Sequence, residues 1–271
     1  MDFNFAEQIN IWFFLLISLT SIVIPLPARR RAFTHITGAF GIIICVFLAA
    51  SPNIVSSEVS RHLRYWVPVG LILVAYHQSG LLFDKPKPLF QNWLIEWDRR
   101  LLGRIYRESD VVPLAPFWRI YLETCYLLCY PLIPAALGAL ILLNYQDKVE
   151  EFWTIVLSSA YICYALVPLL PALPPRLLRT DRKEESNPGK ARALNEWILR
   201  YGSIKANTFP SAHVASCTAA SMVLLQHDIL CGTIFLWLSL SIAVAVVIRR
   251  YHYMADAILG LILPIFLSFL I

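Results

Sequence analysis

Repeated apolar segments of membrane-spanning length constrain this chain more than any other feature. They cover roughly residues 10–27, 33–50, 65–83, 114–144, 152–170, 212–226, 231–248 and 254–271. About 20 consecutive apolar residues are enough to cross the hydrocarbon layer as a helix. A mean hydropathy of +0.61 and 58% hydrophobic residues exclude the class of ordinary soluble domains. The sequence therefore predicts an all-α polytopic membrane protein with about eight transmembrane helices.

The 271 residues suffice for one helical bundle, and no long polar segment indicates a second domain. We therefore expect a single membrane domain over residues 1–271. The expected localisation is that of a multi-pass integral membrane protein, in the cytoplasmic membrane if the source is bacterial. Five of the six cysteines lie inside apolar segments without the spacing of metal-ligand pairs, so they are interpreted as small core residues.

Two connecting segments have the pattern of helices that lie in the membrane interface. From Leu89 to Leu101 apolar residues recur at helical spacing with charged residues between them, and residues 194–201 repeat this pattern more weakly. Such helices either guide a lipid headgroup toward a site or fill space beneath the bundle, and the sequence leaves both interpretations open.

The segment around His252 and Asp256 contains the first chemical signal. These residues are four apart, so on a helix they share one face, and the carboxylate can hold one imidazole nitrogen while the other points outward. An imidazole oriented in this way is prepared to act as a nucleophile or a base. An aspartate just inside an apolar helix is costly without a partner, which favours a functional pair.

His213 is predicted to lie on the same membrane face as His252. The 39 residues between them allow one helix to cross, turn near His227, and return as a second helix. Most lysines and arginines also fall on this face, where the basic group Arg29 to Arg31 lies in a short loop. Taken alone, the positive-inside rule makes that face cytoplasmic.

The residues next to the histidines are suited to binding a phosphate. Thr208 or Ser211 can cap the helix that begins near Ala212, and the free amide N–H groups of such an amino terminus attract anions. Arg176 and Arg250 can add planar guanidinium groups that match phosphate oxygens. Together these groups suit phosphoryl transfer, in which charge on the equatorial oxygens is neutralised while attacking and leaving atoms are held in line.

The motifs FPSAH, residues 209–213, and RYHYMAD, residues 250–256, resemble those of the type 2 phosphatidic acid phosphatase superfamily. With the PALPPR segment, residues 171–176, they are most similar to its inositol phosphorylceramide synthase branch, as are Glu123, Tyr126 and Tyr130. The resemblance covers roughly residues 65–271. It implies a six-helix catalytic core over that range, with two accessory helices in residues 1–64.

The resemblance also implies a role for each site residue. His252 would attack phosphorus to form a phosphohistidine, Asp256 would orient it, and His213 would protonate the leaving group. No metal or other cofactor would be needed. The phosphate would be held by Arg176, Ser211, Ala212 and Arg250.

Two positions depart from the motifs of the superfamily. The lysine of its first motif corresponds to Leu169, and the arginine of its third motif corresponds to Val246, for which Arg249 or Arg250 would substitute. Members of the family carry the site on the extracytoplasmic face, whereas the arginine distribution indicates the cytoplasmic one.

Three classes of function remain open at this stage. The chain could remove phosphate from a membrane lipid, or transfer a phosphoryl headgroup to an alcohol acceptor with the same residues. A transporter or structural protein whose histidines and Asp256 bind a cation is disfavoured by the basic neighbours. The expected partners are a lipid phosphate substrate and membrane lipids, without nucleic acid, and the oligomeric state is left undetermined.

Overall fold

A computed structural model describes residues 2–103, 114–178 and 189–270. These residues form ten α-helices: α1 Phe5–Val23, α2 Ala28–Ala50, α3 Ser57–Gly80, α4 Pro88–Leu102, α5 Pro116–Leu142, α6 Val149–Ala165, α7 Lys190–Tyr201, α8 Ala212–His227, α9 Ile229–Ile248 and α10 Met254–Ser268. Within the described ranges, the only extended pairing is one isolated bridge between Ala172 and Asn207. The all-α prediction is therefore confirmed.

Eight of these helices correspond one to one with the eight apolar segments, and α4 and α7 correspond to the two predicted interfacial helices. In the described part of the chain, α1, α2, α5 and α9 are long and apolar enough to cross a membrane by length and composition. The apolar α10 is shorter, at 15 residues. Residues 104–113 and 179–188 lie outside the described residues.

Several helices begin earlier than their apolar segments because polar residues cap them. Asn4 accepts a hydrogen bond from the Glu7 amide, and the Glu7 side chain accepts one from the Asn4 amide, so α1 begins at Phe5. Ser56 caps α3 in a similar way through the Val59 amide. Hydrophobicity alone does not detect these polar first turns.

One continuous hydrophobic core joins α1 and α2 to the remaining helices. Phe13 of α1 stacks on Tyr161 of α6 with ring centroids 4.2 Å apart. The buried Gln78 of α3 donates to the backbone oxygens of Phe14 and Thr34, which belong to α1 and α2. The first two helices are thus packed into the same bundle as α8, which carries His213, and α9 and α10, which flank His252.

The amino termini of α8 and α10 are held together by direct backbone contact. The Ser211 amide donates to the Asp256 carbonyl oxygen over 3.0 Å. Gly260 lies directly against this junction, where an added Cβ would be 2.9 Å from the Ser211 carbonyl oxygen. This close packing places His213, in the first turn of α8, beside Asp256, in the first turn of α10.

Candidate active site

The structure brings His213 and His252 to the same end of the bundle. Their ring centroids are 5.9 Å apart, with the ring planes at 79°. His252 lies in the loop between α9 and α10 and is 7% exposed, whereas His213 is partly exposed.

Asp256 holds the His252 ring and is itself held by two further donors. His252 Nδ1 is 3.3 Å from Asp256 Oδ2. The same oxygen accepts hydrogen bonds from Asn207 Nδ2 at 2.8 Å and from the Tyr253 amide at 3.1 Å. With Nδ1–H donated to the carboxylate, the lone pair of His252 Nε2 is available for attack.

Burial, and to a smaller extent the positive charge of Arg176, lower the pKa of His252 to about 3. The ring is therefore neutral over the whole physiological range. A neutral imidazole is the form in which a histidine acts as a nucleophile.

A narrow cavity lies between the two histidines, with a volume of about 20 Å³. A phosphoryl group therefore enters only if side chains of the lining move apart. Arg176, of intermediate exposure, is the one cation among the lining residues, and it donates to Ser203 Oγ over 3.3 Å. The other lining residues are Tyr76, Tyr126, Tyr164, Pro174, Ser203, Ala206, Asn207, Thr208, Ala212, His213 and His252.

The four predicted phosphate ligands occupy different positions relative to this cavity. Arg176 and Ala212 line it. Ser211 lies at the amino terminus of α8, where its hydroxyl oxygen accepts a hydrogen bond from the Val214 amide and so caps the helix. Arg250 is outside the lining, and its Nη1 is 3.1 Å from Asp98 Oδ2 of α4.

Arg249, the other possible substitute for the missing arginine of the third motif, points into the protein. It is 4% exposed, and its Nε donates to Oε1 of the buried Glu123. Tyr126 and Tyr130, one and two turns further along α5, lie with their rings about 6 Å from the His213 ring. Of the three α5 residues singled out in the sequence, Tyr126 and Tyr130 therefore lie beside His213, whereas Glu123 contacts Arg249.

Sequence reasoning did not identify Asn207 or Asp98 as parts of this region. Asn207 lies in a loop and reaches Asp256 across 49 residues, for which no local spacing gives a signal. Asp98 left a weak signal, because it falls four residues after the buried Leu94 and so lies on the inner face of an amphipathic helix. A carboxylate at that position requires a partner.

In the described part of the chain, no group of three or more His, Cys, Asp or Glu side chains is arranged to hold a metal ion. The polar groups that surround the histidines are instead an arginine, amides and tyrosines. This donor set is chemically suited to an anion.

Comparison with known proteins identifies one family. The profile of the PAP2 superfamily matches residues 92–270, which include α5 to α10 and both histidine motifs. No curated protein and no solved structure matches the chain.

Proposed function

Because the chain belongs to the PAP2 superfamily, we propose that it is a membrane-embedded phosphatase that hydrolyses the phosphate ester of a lipid through a phosphohistidine intermediate. Membership makes it an enzyme that acts on phosphate esters. The observation that carries the finer proposal is the His213 and His252 pair, with Asp256 Oδ2 3.3 Å from Nδ1 of His252.

In the first half of the proposed reaction, His252 Nε2 attacks phosphorus while Nδ1–H stays bonded to Asp256. An N–P bond forms and the P–O bond to the lipid alcohol breaks. His213 gives its proton to the departing alkoxide, which leaves as the neutral alcohol.

In the second half, water attacks the phosphohistidine. His213, now without its proton, accepts one from this water. The N–P bond breaks, inorganic phosphate leaves, and His252 returns to its neutral form. Both histidines thus take part in both steps, with His213 acting first as the general acid and then as the general base.

We assign the phosphoryl oxygens to Arg176 and to the amino terminus of α8 at Ala212, since both line the cavity; the Ala212 amide, which donates to Thr208 Oγ1 over 3.2 Å in this structure, would exchange that partner for the phosphate. Ser211 supports this end as the helix cap. Arg250 would act from the rim of the site, where its guanidinium also forms an ion pair with Asp98. The single membrane domain remains part of the proposal, with α1 and α2 as accessory helices.

The alternative is transfer of a phosphoryl headgroup to an alcohol, as in inositol phosphorylceramide synthases. The observation that favours it is the tyrosine-rich wall of Tyr76, Tyr126 and Tyr164, because phenolic hydroxyls can orient an alcohol acceptor. Product analysis with and without alcohols such as glycerol or inositol separates the two reactions. Release of inorganic phosphate only, unchanged by added alcohols, supports hydrolysis.

Trapping of the intermediate tests the proposed mechanism. Purified protein is mixed briefly with phosphatidic acid labelled in its phosphate, then denatured in alkali, which preserves phosphohistidine. We expect label on the wild type and on His62→Ala, a control at an exposed histidine, and none on His252→Ala. Near-full phosphatase activity of folded His252→Ala would exclude this residue as the nucleophile.

A further inference from the structure

The loop that carries His252 is contacted by two buried carboxylates that do not line the cavity. Glu123 of α5 contacts Arg249 and Tyr251 of this loop. Asp98 of α4 contacts Arg250 and the first amide of α10. Two helices thus contact the loop: α5 through Arg249 and Tyr251, and α4 through Arg250 and Met254.

The contacts of Glu123 form a dense buried network. Its Oε2 accepts from Tyr251 Oη at 2.7 Å and from Asn195 Nδ2 at 2.6 Å. Its Oε1 accepts from Arg249 Nε and from Arg192 Nη1, the latter at 3.1 Å. Since Arg192 and Asn195 belong to α7, one carboxylate joins that amphipathic helix to the loop.

Asp98 brackets His252 from two positions along the chain. Its Oδ1 accepts from the Met254 amide at 2.8 Å, and its Oδ2 accepts from Arg250 Nη1 at 3.1 Å. These two partners lie two residues after and two residues before His252. The Asp98 side chain is fully buried, although it comes from an interfacial helix whose opposite face exposes Leu89 and Trp93.

The same helix also contacts the segment that leads to Arg176. Gln91 lies on the same face of α4 as Asp98. Its Nε2 donates to Tyr253 Oη, and its Oε1 accepts from the Leu173 amide at 2.8 Å. Helix α4 therefore contacts the segments on which both His252 and Arg176 lie. A shift of α4 would change their relative positions.

The backbone of the loop needs such support. Arg250 has a φ of 63°, in the left-handed region, which is unfavourable for a residue with a side chain. With this backbone conformation the Arg250 side chain reaches Asp98, and the ion pair between them fixes the guanidinium. Without it, the loop loses the contact that balances its local strain.

We propose that Asp98 and Glu123 are positioning residues that hold His252 in its orientation toward the phosphoryl group. The inference rests on the proposed function, in which His252 is the nucleophile. Neither carboxylate touches the cavity, so both act through Arg249, Arg250, Tyr251 and the Met254 amide. A displacement of a reacting group by about 1 Å lowers the rate about 100-fold, so the effect belongs to kcat.

The test compares Asp98→Asn and Glu123→Gln with wild type in detergent, with phosphatidic acid in mixed micelles as substrate. Both variants keep the side-chain volume and remove the charge. We expect kcat to fall roughly 10- to 100-fold and KM to change less than about threefold, because Arg176 and Ala212 are untouched. Glu96→Gln, at an exposed residue of the same helix paired with Arg100, is the matched control and should turn over normally.

A second readout is independent of turnover. Diethyl pyrocarbonate modifies exposed imidazoles, and the rate at His252 is measured by mass spectrometry. A loosened loop should raise that rate several-fold in both variants and leave it unchanged in Glu96→Gln. If the wild type does not hydrolyse lipid phosphates while this rate still rises, the proposed function fails and the positioning role stands.

Normal kcat and normal His252 reactivity in folded Asp98→Asn and Glu123→Gln would overturn the inference. A loss confined to KM would overturn it as well, since it would place the carboxylates in substrate binding. If Glu123→Gln does not fold, Asp98→Asn decides alone, with Asp98→Glu expected to recover part of kcat because it restores the charge beside Arg250.

Discussion

Replacement of Gly260 by alanine should separate α8 and α10, the two helices that carry the proposed catalytic residues His213 and Asp256. An added Cβ would lie 2.9 Å from the Ser211 carbonyl oxygen and 3.0 Å from Val214 Cβ. Ordinary contact for a Cβ begins near 3.4 Å, so the α8 and α10 backbones must move apart by about 0.5 Å. The oxygen cannot yield alone, since it accepts the Ala215 amide within the first turn of α8.

This movement acts directly on the site. The Ser211 amide donates to the Asp256 carbonyl oxygen, and His213 follows two residues later, so the shift changes the distance between His213 and the His252–Asp256 pair. Overpacking of a well-packed contact costs about 1–3 kcal/mol, partly offset by the better helix propensity of alanine. A shift of half an ångström at the reacting groups should lower kcat by about tenfold.

The assay combines steady-state hydrolysis of phosphatidic acid with the thermal unfolding midpoint in detergent. Gly70→Ala is the control, because a Cβ at this position of α3 meets nothing within 4 Å and should leave the activity unchanged. Wild-type kcat and stability in Gly260→Ala would refute the argument that this glycine sets the distance between the two helices.

Three further outcomes are expected. His213→Ala should lower turnover of a lipid phosphate by at least about 100-fold but that of p-nitrophenyl phosphate far less, because nitrophenolate leaves without a proton; equal losses on both substrates would contradict the acid role. Asn207→Ala removes the hydrogen bond that Asn207 Nδ2 donates to Asp256 over 2.8 Å, so steady-state kinetics should show kcat lowered about tenfold with KM unchanged. Burial raises the pKa of Asp98 to about 6, against the lowering effects of the Met254 amide and Arg250 and with a smaller raising effect of Asp256. As pH rises from about 4 to 6, the Asp98 carboxyl releases its proton later in the folded state than in the unfolded state, so folding is progressively destabilised. The unfolding midpoint of wild type should therefore drop relative to that of Asp98→Asn, by an amount equivalent to about 3 kcal/mol, and stay level above about pH 6. Parallel midpoints of the two proteins across this window would show that Asp98 titrates normally.

The helical organisation could be predicted from the sequence because it follows from local composition. Apolar segments of spanning length, together with the amphipathic pattern at Leu89 to Leu101, predicted helices that the structure contains. The superfamily suggested by the FPSAH and RYHYMAD motifs is confirmed by the match over residues 92–270. The inositol phosphorylceramide synthase branch stays a prediction.

The ligands around the site could be predicted only in part. The spacing of His252 and Asp256 involves only the first turn of α10 and the two residues before it, so it is visible in the sequence. The guanidinium of Arg250 could point toward a phosphate or toward a carboxylate, and the choice depends on the position of Asp98, 152 residues away. No local pattern contains that information.

The sequence alone therefore determined the membrane class, the helices and the histidine motifs, since each depends on residues within a few turns of one another. Only the tertiary structure decided which carboxylates hold the His252 loop and which arginine reaches the cavity. Those choices depend on contacts such as that between Asp98 and the Met254 amide, 156 residues apart, which form only when separate helices pack together. Because a buried carboxylate is stable only with partners, the packing that brings Asp98 and Glu123 to the loop also sets the conformation of the loop.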